Sequence, residues 1–166
     1  MTIGRRFDMN EFVFTRVIHV LAVVLWIGGV AMVTTVLLPA IRALASDEEK
    51  LPLFERIGFR FSLQAKVTTL LTGLSGFYML HVLDAWSRYA EPRFWWIHAM
   101  TLVWVIFTLI LFVIEPLFMH RWVRNNASQN PARTFAKLQL MHVILLRVSL
   151  VTIAGAVAGS HGWFWF

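Results

Sequence analysis

The sequence predicts an all-α integral membrane protein, folded as an antiparallel four-helix bundle in a single domain, 1–166. Hydrophobic residues make up 58% of the chain and charged residues only 14%, and the mean hydropathy is +0.68. A soluble domain is about half apolar and about a quarter charged, so a water-exposed fold of this size could not cover so much apolar surface. Four apolar runs also approach the roughly 20 residues that cross the hydrocarbon of a bilayer.

The predicted spans follow these runs and the residues that interrupt them. Pro39 lies near the end of the first, Glu115-Pro116 near the end of the third, and Arg147 interrupts the fourth. Tryptophans flank several of the runs, as expected at membrane interfaces. The four predicted transmembrane helices are about 13–41, 64–83, 94–118 and 138–160.

Two of the connections carry their own signals. The charged segment from Arg42 to Lys66 is mixed in polarity, and its second half is predicted to lie on the membrane surface as an amphipathic helix. The basic segment from His120 to Lys137 contains Asn130-Pro131, a pair typical of a helix start.

Orientation follows from the Lys and Arg residues at the two faces, called side A (the N-terminal face) and side B. Side B has nine of them and side A five, so side B is predicted to be cytoplasmic. Both termini then lie on the periplasmic side of a bacterial-type inner membrane. The side A residues are Arg5, Arg6, Arg16, Arg88 and Arg93; those of side B are Arg42, Lys50, Arg56, Arg60, Lys66, Arg121, Arg124, Arg133 and Lys137.

Composition also narrows the partners and chemistry. The net charge of +6 does not indicate nucleic-acid binding, because the basic residues sit between apolar runs, where they favour contact with the lipid bilayer. The absence of cysteine excludes disulfides, thiolate metal sites and c-type haem attachment.

Histidines within or beside the spans are the main candidates for chemistry, since ionisable groups in a membrane are costly. His19, His81 and His98 come from three helices, and antiparallel topology places all three toward side A. Facing imidazoles can hold a haem iron from both sides, and His19 and His98 have the better matched depths, with His81 as an alternative ligand. Copper is a rival metal. The alternative without a metal is that each histidine hydrogen-bonds a neighbouring helix.

A second group lies toward side B. His120 ends the third span and His142 begins the fourth, so together they form a candidate second haem site. Arg147 is predicted to pair either with Glu115, which is the preferred interpretation, or with a haem propionate.

In the same span Gly155 and Gly159 form a GxxxG motif, which indicates close helix packing within the bundle or at a dimer face.

Short motifs resemble those of a known family. His19 followed by Trp26 and Gly28-Gly29 is similar to the first helix of CopD-like and HemJ-like membrane proteins, and Trp96-Ile97-His98 resembles the start of a later HemJ helix. The resemblance implies a four-helix membrane protein that binds haem b through His19 and His98. HemJ proteins are protoporphyrinogen oxidases with a lysine two residues beyond the second histidine, where this chain has Met100. CopD-like proteins are linked to copper handling.

Four functions follow from these observations. The first is a small b-type cytochrome with one or two haems, which transfers electrons between a quinone pool and a redox protein, alone, as a homodimer or within a larger respiratory complex. The others are a HemJ-like protoporphyrinogen oxidase, a CopD-like copper protein, and a structural accessory subunit. No residue pattern assigns a catalytic group, so the sequence does not decide whether the protein is an enzyme.

Overall fold

The computed structural model describes residues 9–43, 46–127 and 129–163, and it places every side chain in them except those of Asp47 and His120. Helices account for nearly all of this part of the chain, and it contains no strand. The elements in order are α1 (Met9–Met32), a π-helix (Val33–Leu37), α2 (Leu38–Ala43), α3 (Asp47–Val82), two 3-10 turns (Trp86–Ala90 and Pro92–Phe94), α4 (Trp95–Leu109), a π-helix (Ile110–Met119), α5 (His120–Ala127) and α6 (Pro131–Ser160).

Three continuous helical segments are long and apolar enough to cross a membrane, namely Met9–Ala43, Pro92–Met119 and Pro131–Ser160. They contain the first, third and fourth predicted spans. The second predicted span forms the end of α3, whose charged first half and Ser, Thr and Gly content lower its hydropathy.

α3 runs much further than the sequence predicts. Its 36 residues give a length of about 54 Å, against roughly 30 Å for the hydrocarbon core. Its first half packs along α1, with Phe61 beside Gly29 and the Gln64 amide 3.5 Å from the Leu25 carbonyl oxygen. The second half of the Arg42–Lys66 segment is therefore helical, but it continues directly into the second predicted span and does not form a separate helix.

The reason lies in what α3 covers. Leu38 and Ile41 are fully buried and Val33 is nearly so, although all three belong to the apolar run of the first predicted span. Phe54 and Ile57 of α3 pack against this cluster, together with residues of α5 and α6. This part of the run is thus covered by protein. The cluster's buried members are Val33, Leu37, Leu38, Ile41, Val123, Ala127, Phe135 and Leu138.

A second core lies toward side A, between α1, α4 and α6. Trp26 and Phe107 meet edge to face at a centroid distance of 4.9 Å, and Val30, Val103 and Leu146 pack around them. Around this core the surface is apolar, whereas around the side B core α3 exposes Glu55, Arg56 and Arg60. The two cores therefore have different surroundings.

Local signals explain several helix boundaries. The Asn130 side chain accepts a hydrogen bond from the Arg133 backbone N–H at 3.0 Å, and Pro131 takes the first turn, which confirms the predicted start. Pro39 and Pro116, by contrast, do not end their helices. Each lies within or just after a π-helical segment, where wider winding accommodates the missing N–H.

Candidate functional site

His19 is the best-defined histidine of the molecule. It is half-buried on α1, and its Nδ1 lies 3.1 Å from the Thr72 carbonyl oxygen and 3.0 Å from Ser75 Oγ on α3. Gly76 leaves room for the ring, because a Cβ there would be 3.2 Å from the imidazole Cε1. The sequence analysis did not identify Thr72, Ser75 or Gly76 as partners of His19, because they lie more than fifty residues from it in the chain.

These contacts assign the tautomer of His19. A carbonyl oxygen can only accept a hydrogen bond, so His19 Nδ1 carries a proton and donates it in a hydrogen bond to the Thr72 carbonyl oxygen. Ser75 uses its own hydroxyl proton toward the Leu71 carbonyl, 2.5 Å away, so Ser75 Oγ also accepts from His19. Nε2 is left as the unprotonated nitrogen. A second nitrogen anchored to a carbonyl is the arrangement that orients metal-ligating histidines.

Trp26 adds an orphaned polar atom on the same helix. Its indole Nε1 is buried and has no hydrogen-bond partner among the described residues. Trp26 follows His19 by seven residues, about two turns, so both side chains lie on one face of α1. Buried donors are normally satisfied, so this indole N–H is an exception that a hydrogen-bond acceptor beside it would resolve.

His98 lies in different surroundings. It is exposed on α4, and its ring meets the Tyr89 ring edge to face at 5.1 Å. His19 contacts α3 whereas His98 contacts Tyr89, so the structure does not bring these two imidazoles into contact.

The remaining predicted ligands are also dispersed. His81 is exposed at the end of α3. His142 is half-buried on α6, with Nδ1 2.8 Å from the Leu138 carbonyl oxygen of its own helix. His120 begins α5, but its side chain lies outside the described residues, so pairing with His142 stays a prediction. Across the described ranges, no three His, Asp or Glu residues come together as a metal-ion site.

Glu115 has a different partner from the one preferred in the sequence analysis. Its Oε2 lies 3.4 Å from Lys66 Nζ of α3, and the two side chains are 16% and 29% exposed. This is an ion pair without good hydrogen-bond geometry, because Glu115 Oε2 has no hydrogen-bond partner. Arg147 is exposed instead, between the exposed apolar residues Ile144 and Val148. The Arg147–Glu115 pair is therefore wrong, because Lys66 is the neighbour of Glu115.

Several glycines of the predicted spans are contacted by aromatic rings from within the chain. Trp95 fills the space beside Gly155, and Trp96 fills the space beside Gly159. Both tryptophans belong to α4, so the GxxxG motif packs against α4. Trp104 fills the space beside Gly73 and donates its indole N–H to the Thr69 carbonyl at 2.9 Å. Of the two locations left open for the GxxxG motif, the structure uses the one within the bundle.

No family model, curated protein or solved structure matches the chain.

Proposed function

We propose that the chain is an integral membrane four-helix bundle of a bacterial-type inner membrane. In this bundle the end of α3, which is the second predicted span, crosses the membrane together with the three long apolar helices. The outer face of α3 supports this placement, since it changes from charged to apolar near Lys66 and exposes Val67, Leu70 and Leu74 beyond it. The excess of Lys and Arg on side B makes that side cytoplasmic and both termini periplasmic.

Within that membrane domain, we propose a b-type cytochrome in which His19 is an axial ligand of haem iron. The observation that carries this proposal is the anchored Nδ1 of His19, which leaves Nε2 as the only ring nitrogen free to ligate. The indole N–H of Trp26, on the same helix face, has no hydrogen-bond partner among the described residues and is a donor that a bound group would satisfy.

The second axial ligand is proposed to be His98, with His81 as the alternative. Both imidazoles are exposed toward side A and neither contacts His19, so ligation by either requires the side A ends of the helices to rearrange around the bound group. His142, whose Nδ1 is likewise held by a carbonyl, is the candidate ligand of a second haem with His120. Arg147 has no acidic partner among the described residues and is the candidate partner of a propionate.

Haem when bound supplies reversible one-electron chemistry, so the proposed role is electron transfer between a quinone pool and a redox protein. The chain's own residues ligate, orient and insulate the group. Thr72 and Ser75 hold the His19 ring and strengthen its basicity through Nδ1. Met100 stands where the HemJ motif has lysine, which favours electron transfer over porphyrinogen oxidation.

Haem content and redox titration test this proposal. The full chain is expressed with haem supplied, extracted in mild detergent and assayed for haem b per protein. We expect Ser75→Ala to retain haem but change its midpoint potential, because one hydrogen bond to the ligand is lost. Ser160→Ala, at an exposed helix end, is the matched control. A protein that is folded yet takes up no haem contradicts the proposal.

A second candidate function rests on the same contacts. His19 joins α1 to α3 through Thr72 and Ser75, so it also suits a structural subunit whose histidines only connect helices. This alternative predicts that His19→Gln, which can still donate to the Thr72 carbonyl, keeps full function. The cytochrome proposal predicts that the same substitution abolishes haem binding. Copper analysis of the purified protein tests the CopD-like alternative.

A further inference from the structure

The side B end of the bundle has a cavity of about 210 Å³ between α5 and the start of α6. Its lining offers cationic and amide hydrogen-bond donors, and it contains no acidic residue. Arg133 and Lys137 are both exposed, and neither has an acidic partner among the described residues. The main lining residues are Trp122, Asn126, Gln129, Asn130, Arg133 and Lys137.

A second basic cavity lies on the opposite side of the same helix start. It measures about 130 Å³ and is lined by Arg42 and Lys50 together with Ala132 and Phe135. No acidic residue lines this cavity either. Basic side chains therefore line both cavities at the first turns of α6.

An apolar track connects the larger cavity to the membrane-facing surface. Ile114, Phe118 and Trp122 are spaced four residues apart and are 40%, 63% and 37% exposed. Asn126, four residues further, lines the cavity with Trp122. The track thus runs from the apolar end of the third span to a basic cavity, which matches the division of a phospholipid into acyl chains and headgroup.

We propose that this cavity binds the headgroup of an anionic phospholipid, with the acyl chains along Phe118 and Ile114. Arg133 and Lys137 bind the phosphate, Asn126 and Gln129 bind headgroup hydroxyls or phosphate oxygens, and Trp122 lies at the boundary between headgroup and chains. Basic pockets between membrane helices on the cytoplasmic side are suited to such headgroups. The inference rests on the proposed membrane placement and not on haem binding.

The test uses the delipidated full chain in mild detergent and measures thermal stability against added lipid. The probes are phosphatidylglycerol, phosphatidylcholine with the same acyl chains, and inorganic phosphate. We expect phosphatidylglycerol alone to raise Tm. In Arg133→Gln/Lys137→Gln the concentration of phosphatidylglycerol for half the effect rises by about tenfold or more, because charge-assisted hydrogen bonds are lost.

Arg56→Gln/Arg121→Gln is the matched control, since it removes the same charge from exposed side B positions that line neither cavity. We expect its response to stay within about twofold of the parent protein. An equal loss in the control overturns the site, as does an equal effect of phosphatidylcholine. An equal effect of inorganic phosphate overturns the lipid assignment. Extraction that requires detergent tests the membrane placement separately, so the two failures are distinguishable.

Discussion

Replacing Gly73 by alanine tests the packing between α3 and α4. A Cβ at this position would overlap the Trp104 indole at Cε2, Nε1 and Cζ2, which belong to the rigid ring system. Trp104 is held by its bond to the Thr69 carbonyl and by an edge-to-face contact with Phe77 at 5.5 Å. The ring therefore cannot move without losing a buried hydrogen bond and a ring contact.

The expected cost combines two effects. Overpacking a filled core costs about 1–3 kcal/mol, and loss of one hydrogen bond adds about 1 kcal/mol, so Gly73→Ala should lower the free energy of unfolding by about 2–4 kcal/mol. The assay is unfolding in mild detergent, by heat or by titration with sodium dodecyl sulfate. The expected shift does not depend on protein concentration, since the contact lies within one chain.

Gly28→Ala is the matched control, because a Cβ there would meet no atom within 4 Å. We expect it to change stability by no more than about 0.5 kcal/mol, or to stabilise slightly through helix propensity. In a Trp104→Ala background the Gly73→Ala cost should shrink, since the clashing ring is gone. Equal stability of Gly73→Ala and Gly28→Ala would refute the packing described.

Three further substitutions test the charges and the GxxxG motif. Glu115→Gln should destabilise more than Glu115→Gln/Lys66→Met, because the single change leaves a partly buried ammonium unpaired; unfolding of both variants checks this. Arg147→Leu should leave unfolding unchanged or raise stability, because its side chain is exposed among apolar residues; a large loss would contradict that placement. Gly155→Ala should lower stability equally at low and high protein concentration, whereas a dimer contact would make the loss concentration-dependent.

The sequence predicts the helices where a signal is local. Asn130 and Pro131 mark the start of α6 because capping and a preset φ act over one turn. Three of the four predicted spans likewise correspond to long apolar helices. The beginning of α3 was missed because its charges resemble those of a surface helix. The tertiary contact of Phe54 and Ile57 with the side B core, which includes Leu38 and Ile41, holds this segment against the bundle.

The candidate site shows the same division. The sequence predicts His19 to be an intramembrane group, but its partners Thr72 and Ser75 are more than fifty residues away and depend on helix rotation. Glu115 was assigned to Arg147 because their depths are similar, yet Lys66 is the residue beside it. Depth along a span can be counted from sequence, whereas the direction in which a side chain faces depends on packing.

The most direct test of the central proposal is the dithionite-reduced minus oxidised absorption spectrum of the detergent-extracted protein. The parent chain and His161→Ala, an exposed control, should show the sharp bands of low-spin haem b. His19→Ala should lose them, and His19→Met should retain haem at a higher midpoint potential, because thioether ligation raises it. A folded protein without haem bands, or identical spectra and potentials for all four proteins, would contradict the assignment of His19 as a haem ligand.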